Sequence, residues 1–165
     1  MTKPFIIRRL LASDLEDYRN IRLEALRNEP ESFGSTYGIE ASRPLTEHAT
    51  RIASSAVFGA YADETIVGMI GFKQEDGPKD AHKGFVWGFY VRPENRRQGV
   101  GADLISALIG FARDSVEQLT LTVVQGNDAA VSLYKRFGFD IYGIEPKALK
   151  STTGYSDEVL MILFL

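Results

Sequence analysis

Between Val91 and Leu104 the chain reads VRPENRRQGVGADL, with Arg92, Arg96 and Arg97 ahead of Gly99, Val100 and Gly101. Glycines where a helix begins let backbone N–H groups approach an anion, and the helix dipole favours negative charge there. Arg96 and Arg97 add mobile positive charge. A phosphate-bearing ligand is the chemistry this spacing suits; the same residues also suit a glycine-relaxed turn with solvated arginines. Two phosphate readers lose ground. A Walker A loop needs a Gly-Lys pair, which the chain lacks. A dinucleotide fingerprint needs a third glycine and then an acid about 20 residues on, where this chain has Leu104 and Leu121.

The elements that must hold this loop are legible on both sides of it. Phe85 to Val91, FVWGFYV, is a nearly continuous apolar run of strand length and predicts a strand in the sheet interior. Val100, Leu104, Leu108 and Phe111 recur at helical spacing, and Leu119 to Val124 reads as the next strand. Asn127 and Asp128 offer capping chemistry for a helix to about Phe137, with Ala130, Leu133 and Phe137 on one face and Gly138 as its stop. Upstream, Phe5 to Leu10 predicts a strand, and Ser13 with Glu16 a capping box opening a helix to about Asn28 with Leu15, Tyr18, Ile21 and Ala25 buried. EPESFGSTYGIEASRP reads as a loop before a short helix at Thr46 to Ser54, and VFGAYADETIVGMIGFKQ as a hairpin turning at Asp63 and Glu64. Two last strands, near Phe139 to Ile144 and Glu158 to Phe164, are joined by EPKALKSTTGYSD. The pattern is an α/β or α+β domain with a mixed sheet.

With 165 residues, 44% hydrophobic and 25% charged, the chain is expected to form one domain over 1–165. The absence of cysteine excludes disulfides and thiolate metal sites, and His48 and His82 alone do not make a zinc site, so no metal is expected. A net charge of -3 argues against a nucleic-acid partner. The apolar runs fall short of the roughly 20 residues that span a bilayer, and MTKPFIIRRL has too short an apolar core for a secretory signal. The expectation is a cytoplasmic protein with no membrane partner.

VRPENRRQGVG resembles the R/Q-x-x-G-x-G/A motif of the GNAT superfamily of N-acetyltransferases, here Arg96, Gly99 and Gly101 behind a V-x-P strand end. NDAAVSLYKRFGF, Asn127 to Phe139, resembles that family's second block, N-x-x-A-x-x-L-Y-x-x-x-G-F, in the same order along the chain. The likeness covers about Phe85 to the C-terminus and, more loosely, the whole chain. It implies a GNAT-like acyl-CoA N-acyltransferase fold: a central mixed, splayed sheet flanked by helices, with a V-shaped cleft for acetyl-CoA. By this analogy the N–H groups of Gln98, Gly99, Val100, Gly101 and Ala102 cradle the pyrophosphate beside Arg96 and Arg97. Phe89, Tyr90 and Val91 would pair their backbone with the pantetheine arm and polarise the acetyl carbonyl. Asn127 would bond the same arm while also capping a helix.

The resemblance makes Tyr134 the candidate general acid, its hydroxyl protonating the departing thiolate; otherwise it is a tyrosine packed at the core edge. The base is open. FVWGFYV carries no carboxylate, unlike some members, leaving Glu75, Glu40 and Asp157 as candidates for a water relay or as plain surface acids. A lysine-like amine of pKa about 10.4 costs roughly 4.6 kcal/mol to deprotonate at pH 7, an α-amine only about 1. Acceptor selection is expected in the loop after the first helix and between the last strands, where Phe33, Tyr37 and Tyr155 could line a pocket and Glu29, Glu31 and Asp157 attract a cationic amine; a satellite core with exposed acids suits the same residues. The activity implied is acetyl transfer from acetyl-CoA to a primary amine, small molecule or peptide, by direct attack in a ternary complex, with room for a homodimer. The alternative is a CoA-binding sensor that keeps the fold without turnover.

Overall fold

The computed structural model describes residues 4–165; Met1 to Lys3, which open the stretch read above as lacking a signal core, lie outside the described residues. In chain order the elements are β1 (Phe5–Arg9), α1 (Leu15–Asn28), α2 (Tyr37–Ala41), α3 (Leu45–Ser54), β2 (Ala56–Ala62), β3 (Thr65–Gln74), β4 (Lys83–Val91), α4 (Val100–Ala112), β5 (Gln118–Val124), α5 (Asp128–Arg136), β6 (Asp140–Ser151) and β7 (Gly154–Phe164). The strands form one mixed sheet in the order β1-β2-β3-β4-β5-β7-β6, with β4 and β5 parallel and the other neighbours antiparallel.

Side chains alternate across a strand, so β2 serves two cores. Phe58, Ala60 and Ala62 join the core under α4 and α5, built on Leu104, Leu108 and Leu119. Val57 and Tyr61 join the other, with Tyr18, Ile21 and Ile52 from α1 and α3. β4 is covered on both faces, in agreement with its apolar run.

Three local expectations give way to tertiary context. Helix α1 is entered through Asp14, not the Ser13–Glu16 pair: its carboxylate accepts the Leu11 N–H at 2.8 Å and holds Arg8 at 2.8 and 2.9 Å. The segment expected as loop contains the five-residue α2, capped by the Thr36 hydroxyl, which accepts from the Ile39 N–H at 3.3 Å. The connection EPKALKSTTGYSD is mostly strand: β6 and β7 pair out to Ser151 and Gly154, turning at Thr152 and Thr153, with a bulge between Glu145 and Leu149 where Lys147 has φ 52°.

Candidate active site

β4 and β5 pair only from Lys83–Gln118 to Phe85–Thr120, after which they part. Val86 to Phe89 and Leu121 to Val124 become facing walls of a cleft of about 300 Å³. Asn127, Ala130 and Tyr134 line it on the α5 side, and Arg22, Glu29 and Phe33 on the α1 side. The gap therefore opens to both faces of the sheet.

A bulge shapes the cleft wall. Met69 pairs with Tyr90 but Gly71 with Trp87, so Ile70 alone stands opposite Gly88 and Phe89, and Gly88 takes φ 68°. The extra residue leaves the ladder unpaired and inverts the side-chain alternation. Trp87 thus packs toward α1, whereas Phe89 packs against Tyr134 with ring centroids 5.7 Å apart. Tyr90 and Val91 keep their β3 partners, and both side chains are buried. The Tyr90 hydroxyl donates to Glu24 at 3.0 Å, and Arg92 reaches the same carboxylate at 3.1 Å. The backbone edge of Phe89 to Val91 facing β5 is free of strand partners, which suits an extended polyamide arm.

The loop after β4 has the form of an anion cradle. Gly99 precedes α4 with φ 85°, and a Cβ built there meets nothing within 4 Å. The first amides of a helix lack helical acceptors, and here they follow directly on that open space. Gly101 serves a further purpose: its Cβ would lie 2.9 Å from the tip of the Phe89 ring, so it makes room for packing. Val100 is buried and anchors the helix start; Ala102 is half-buried, and Gln98 is exposed with its amide donating to the Glu94 carbonyl at 3.1 Å. Arg97 is exposed with φ 59° and has no ion-pair partner among the described residues. Arg96 donates to the Val91 carbonyl at 2.8 Å and pairs with Glu29 at the end of α1. The open space and free positive charge fit a diphosphate.

At the end of β5, Asn127 caps α5, its side-chain oxygen accepting from the Ala130 N–H at 3.3 Å, while the residue also lines the cleft. Tyr134 is 5% exposed, wedged between Phe89 and Phe139, and lines the same cleft. Burial pushes its phenol well above the ordinary tyrosine range, so it holds its proton at neutral pH.

Of the acceptor-side expectations, Phe33 and Glu29 line the cleft; Tyr37 and Tyr155 do not. Tyr37 lies 5.5 Å from the Arg27 guanidinium, and Tyr155 packs under Lys147 and Lys150 at the surface. Glu31 is exposed on the 3-10 turn after α1. Nor do the expected relay acids reach it. Glu40 is buried in a two-bond pair with Arg22, both at 2.9 Å; Asp157 accepts the Lys147 N–H at 2.7 Å; Glu75 lies beyond the end of β3. The carboxylates on the cleft are Glu29 and Glu158, the latter opposite Val124 where β5 has parted from β4. Sequence reasoning missed Glu158, Trp87 and Arg22. A signal for Arg22 existed: it shares the apolar α1 face with Tyr18, Ile21, Ala25 and Leu26, where a cation needs a buried partner.

The fold is shared with known enzymes. An acetyltransferase of the GNAT family from Streptococcus pneumoniae superposes with a TM-score of 0.86 at 20% identity, covering 98% of this chain and 100% of that one. A Salmonella typhimurium structure determined with its cofactor acetyl-CoA gives 0.85 at 19% identity, covering 98% and 94%. In sequence, the L-methionine sulfoximine/L-methionine sulfone acetyltransferase of Pseudomonas aeruginosa is 34% identical over 77 residues, 46% of this chain and 45% of the relative. The match thus spans under half the length of that curated relative. The model of the acetyltransferase (GNAT) family matches residues 17–139. That stretch runs from the first turn of α1 to the residue before β6 and takes in both walls of the cleft and the glycine-arginine loop, so the chain belongs to the GNAT acetyltransferase family.

Proposed function

We propose that this chain, acting over 1–165 as one acyltransferase unit in the cytoplasm, moves an acetyl group from acetyl-CoA to a primary amine by direct attack in a ternary complex. The observation that carries the reading is the parting of β4 from β5, which opens a cleft with Asn127 and Tyr134 on one side, Glu29 and Phe33 on the other, and Glu158 of β7 in its lining. Acetyl-CoA, when bound, supplies an activated acetyl thioester.

The chain's residues do the rest. The amides of Gln98 to Ala102, with Arg96 and Arg97, hold the diphosphate; the free edge of Phe89 to Val91 and the side chain of Asn127 orient the amide arm. The unpaired bulge backbone at Gly88 and Phe89 donates to the acyl oxygen as charge develops there. Glu29 and Glu158 draw in the ammonium group, and one of them takes its proton through water, freeing the nitrogen lone pair. Nitrogen bonds to the acyl carbon, the carbon–sulfur bond breaks, and Tyr134 gives its proton to sulfur. Phe33 walls the acceptor side. Tyr37 and Tyr155 are assigned no part.

Thiol release from acetyl-CoA across a panel of small amines and peptides tests the reading. Amine-dependent release is expected. Tight CoA binding with no release for any amine would replace it with a CoA-binding sensor. A homodimer completes the reading, favoured by the exposed Ile141, Tyr142 and Ile144 on edge strand β6; light scattering giving twice the chain mass checks it.

A further inference from the structure

A second cavity, of about 520 Å³, lies against the α1 and α3 face and shares Arg22, Phe85 and Trp87 with the cleft. Its charge is lopsided. Arg43, Arg51 and Lys73 face a single carboxylate, Glu47, which sits 3.6 Å from Arg43, while Arg22 is already neutralised by Glu40. Arg51 forms no ion pair among the described residues, although its charge reaches the buried Glu40 carboxylate; its guanidinium lies 4.9 Å over the Trp87 ring. That ring is seated on β3, where a Cβ at Gly71 would fall 2.3 Å from it. Lys73 stands next to Phe85 in register and is exposed. Thr50, Ser54 and Ser55 add hydroxyls to the same wall.

We infer that this cavity is the acceptor's second anchor: it binds an anionic group, carboxylate or phosphate, carried by the amine, with Arg51 and Lys73 as the residues that select it. The inference rests on the acyltransferase reading and names its substrate class. Arg51 over the Trp87 ring and Lys73 in register with Phe85, beside a single lining carboxylate among the described residues, favour a partly desolvated anion over water. The position sets the length of the acceptor. Trp87 and Phe85 precede Phe89 by two and four strand residues, roughly 7 to 13 Å, so the anion stands several bonds from the transferred acetyl group. An α-carboxylate, two bonds from its amine, does not reach that far. The fitting acceptors are small amines with a distal acid, such as ω-amino carboxylates or amino-sugar phosphates.

The test compares kcat/KM for matched pairs: aminohexanoate against aminohexanol, and glucosamine phosphate against glucosamine. In the intact protein one or both anionic members are expected to win by about tenfold or more, the worth of one charge-assisted hydrogen bond, and the pair that shows it identifies the anion. Arg51→Gln and Lys73→Gln should each shrink that ratio, chiefly through KM. Lys73 is exposed, so its variant separates selection from folding. Calorimetry of aminohexanoate and of glucosamine phosphate on the CoA-bound protein should show the preferred anion's binding weaken in both variants and with added salt. Equal use of neutral and anionic amines, or an equal loss for both in the variants, overturns this inference alone. No turnover with any amine overturns the acyltransferase reading and this inference with it.

Discussion

Arg96 is bonded at once to the Val91 carbonyl and to the Glu29 carboxylate, tying the end of β4 and the end of α1 together at the mouth of the cleft. A diphosphate bound at the loop as proposed would compete with Glu29 for this guanidinium. Glu29→Gln is therefore expected to tighten CoA by up to about fivefold, the range of a part-exposed ion pair, and to raise KM for cationic amines. Calorimetry with CoA and steady-state kinetics read the two effects separately; weaker CoA binding would show that Glu29 holds Arg96 in place for the ligand instead.

The two loop glycines should fail in different ways. Gly99→Val forces a β-branched residue to φ 85° and puts a side chain into the open cradle, so CoA-induced heat protection, about 2.7 kcal/mol at 100-fold excess over Kd, should largely vanish. Gly101→Val instead drives into the Phe89 ring and should cost the free protein about 1 to 3 kcal/mol. Thermal melts with and without CoA distinguish them. Equal CoA affinity in wild type and the Gly99 variant would remove the cradle from the mechanism.

Tyr134→Phe keeps the ring contacts with Phe89 and Phe139 and deletes the hydroxyl proposed as the proton donor. Single-turnover transfer should slow by about 100-fold to 10,000-fold with CoA affinity nearly unchanged. Because burial raises this phenol, the acid form persists above the ordinary tyrosine pKa of about 10, and no alkaline fall in rate should come from Tyr134 below it. Equal single-turnover rates across pH would reduce the residue to packing.

Arg22 and Glu40 give a pH test of stability. Burial alone would lift the Glu40 carboxyl, but the Arg22 hydrogen bonds and charge together hold it below the usual range. In the native chain this pair stabilises above the unfolded carboxylate pKa of about 4.3, and the contribution is lost as pH falls through the lower folded value. Arg22→Met leaves burial dominant, so the folded pKa rises and the sign reverses: stability should drop as pH increases, by about 3 to 5 kcal/mol at neutrality. Denaturant titrations on the acid side and at neutral pH check the reversal.

Elements whose local pattern and tertiary role agree were legible in the sequence. FVWGFYV was covered on both faces as its apolar run implied, and Asn127 caps α5 as its position before Asp128 suggested. The bulge at Gly88 was not legible, because one unpaired residue inside an apolar strand changes alternation without changing composition. Helix α2 is too short to announce itself and is fixed from afar, through the Glu40 grip on Arg22. The β6–β7 ribbon hides its period because neither face of its outer half is buried. Tyr37 and Tyr155 looked like pocket residues for want of knowing that neighbouring cations cover their rings.

Trp87, seated over Gly71 beneath Arg51 and common to both cavities, is the only tryptophan in the chain. The junction of the two cavities thus carries its own optical probe. Emission excited at the red edge, where the seven tyrosines are silent, reports from this one point in unlabelled protein. Because the indole lines both cavities, stopped-flow traces in either order of mixing would resolve the sequence of arrival, and Trp87→Phe would darken the signal while keeping a ring on the glycine seat.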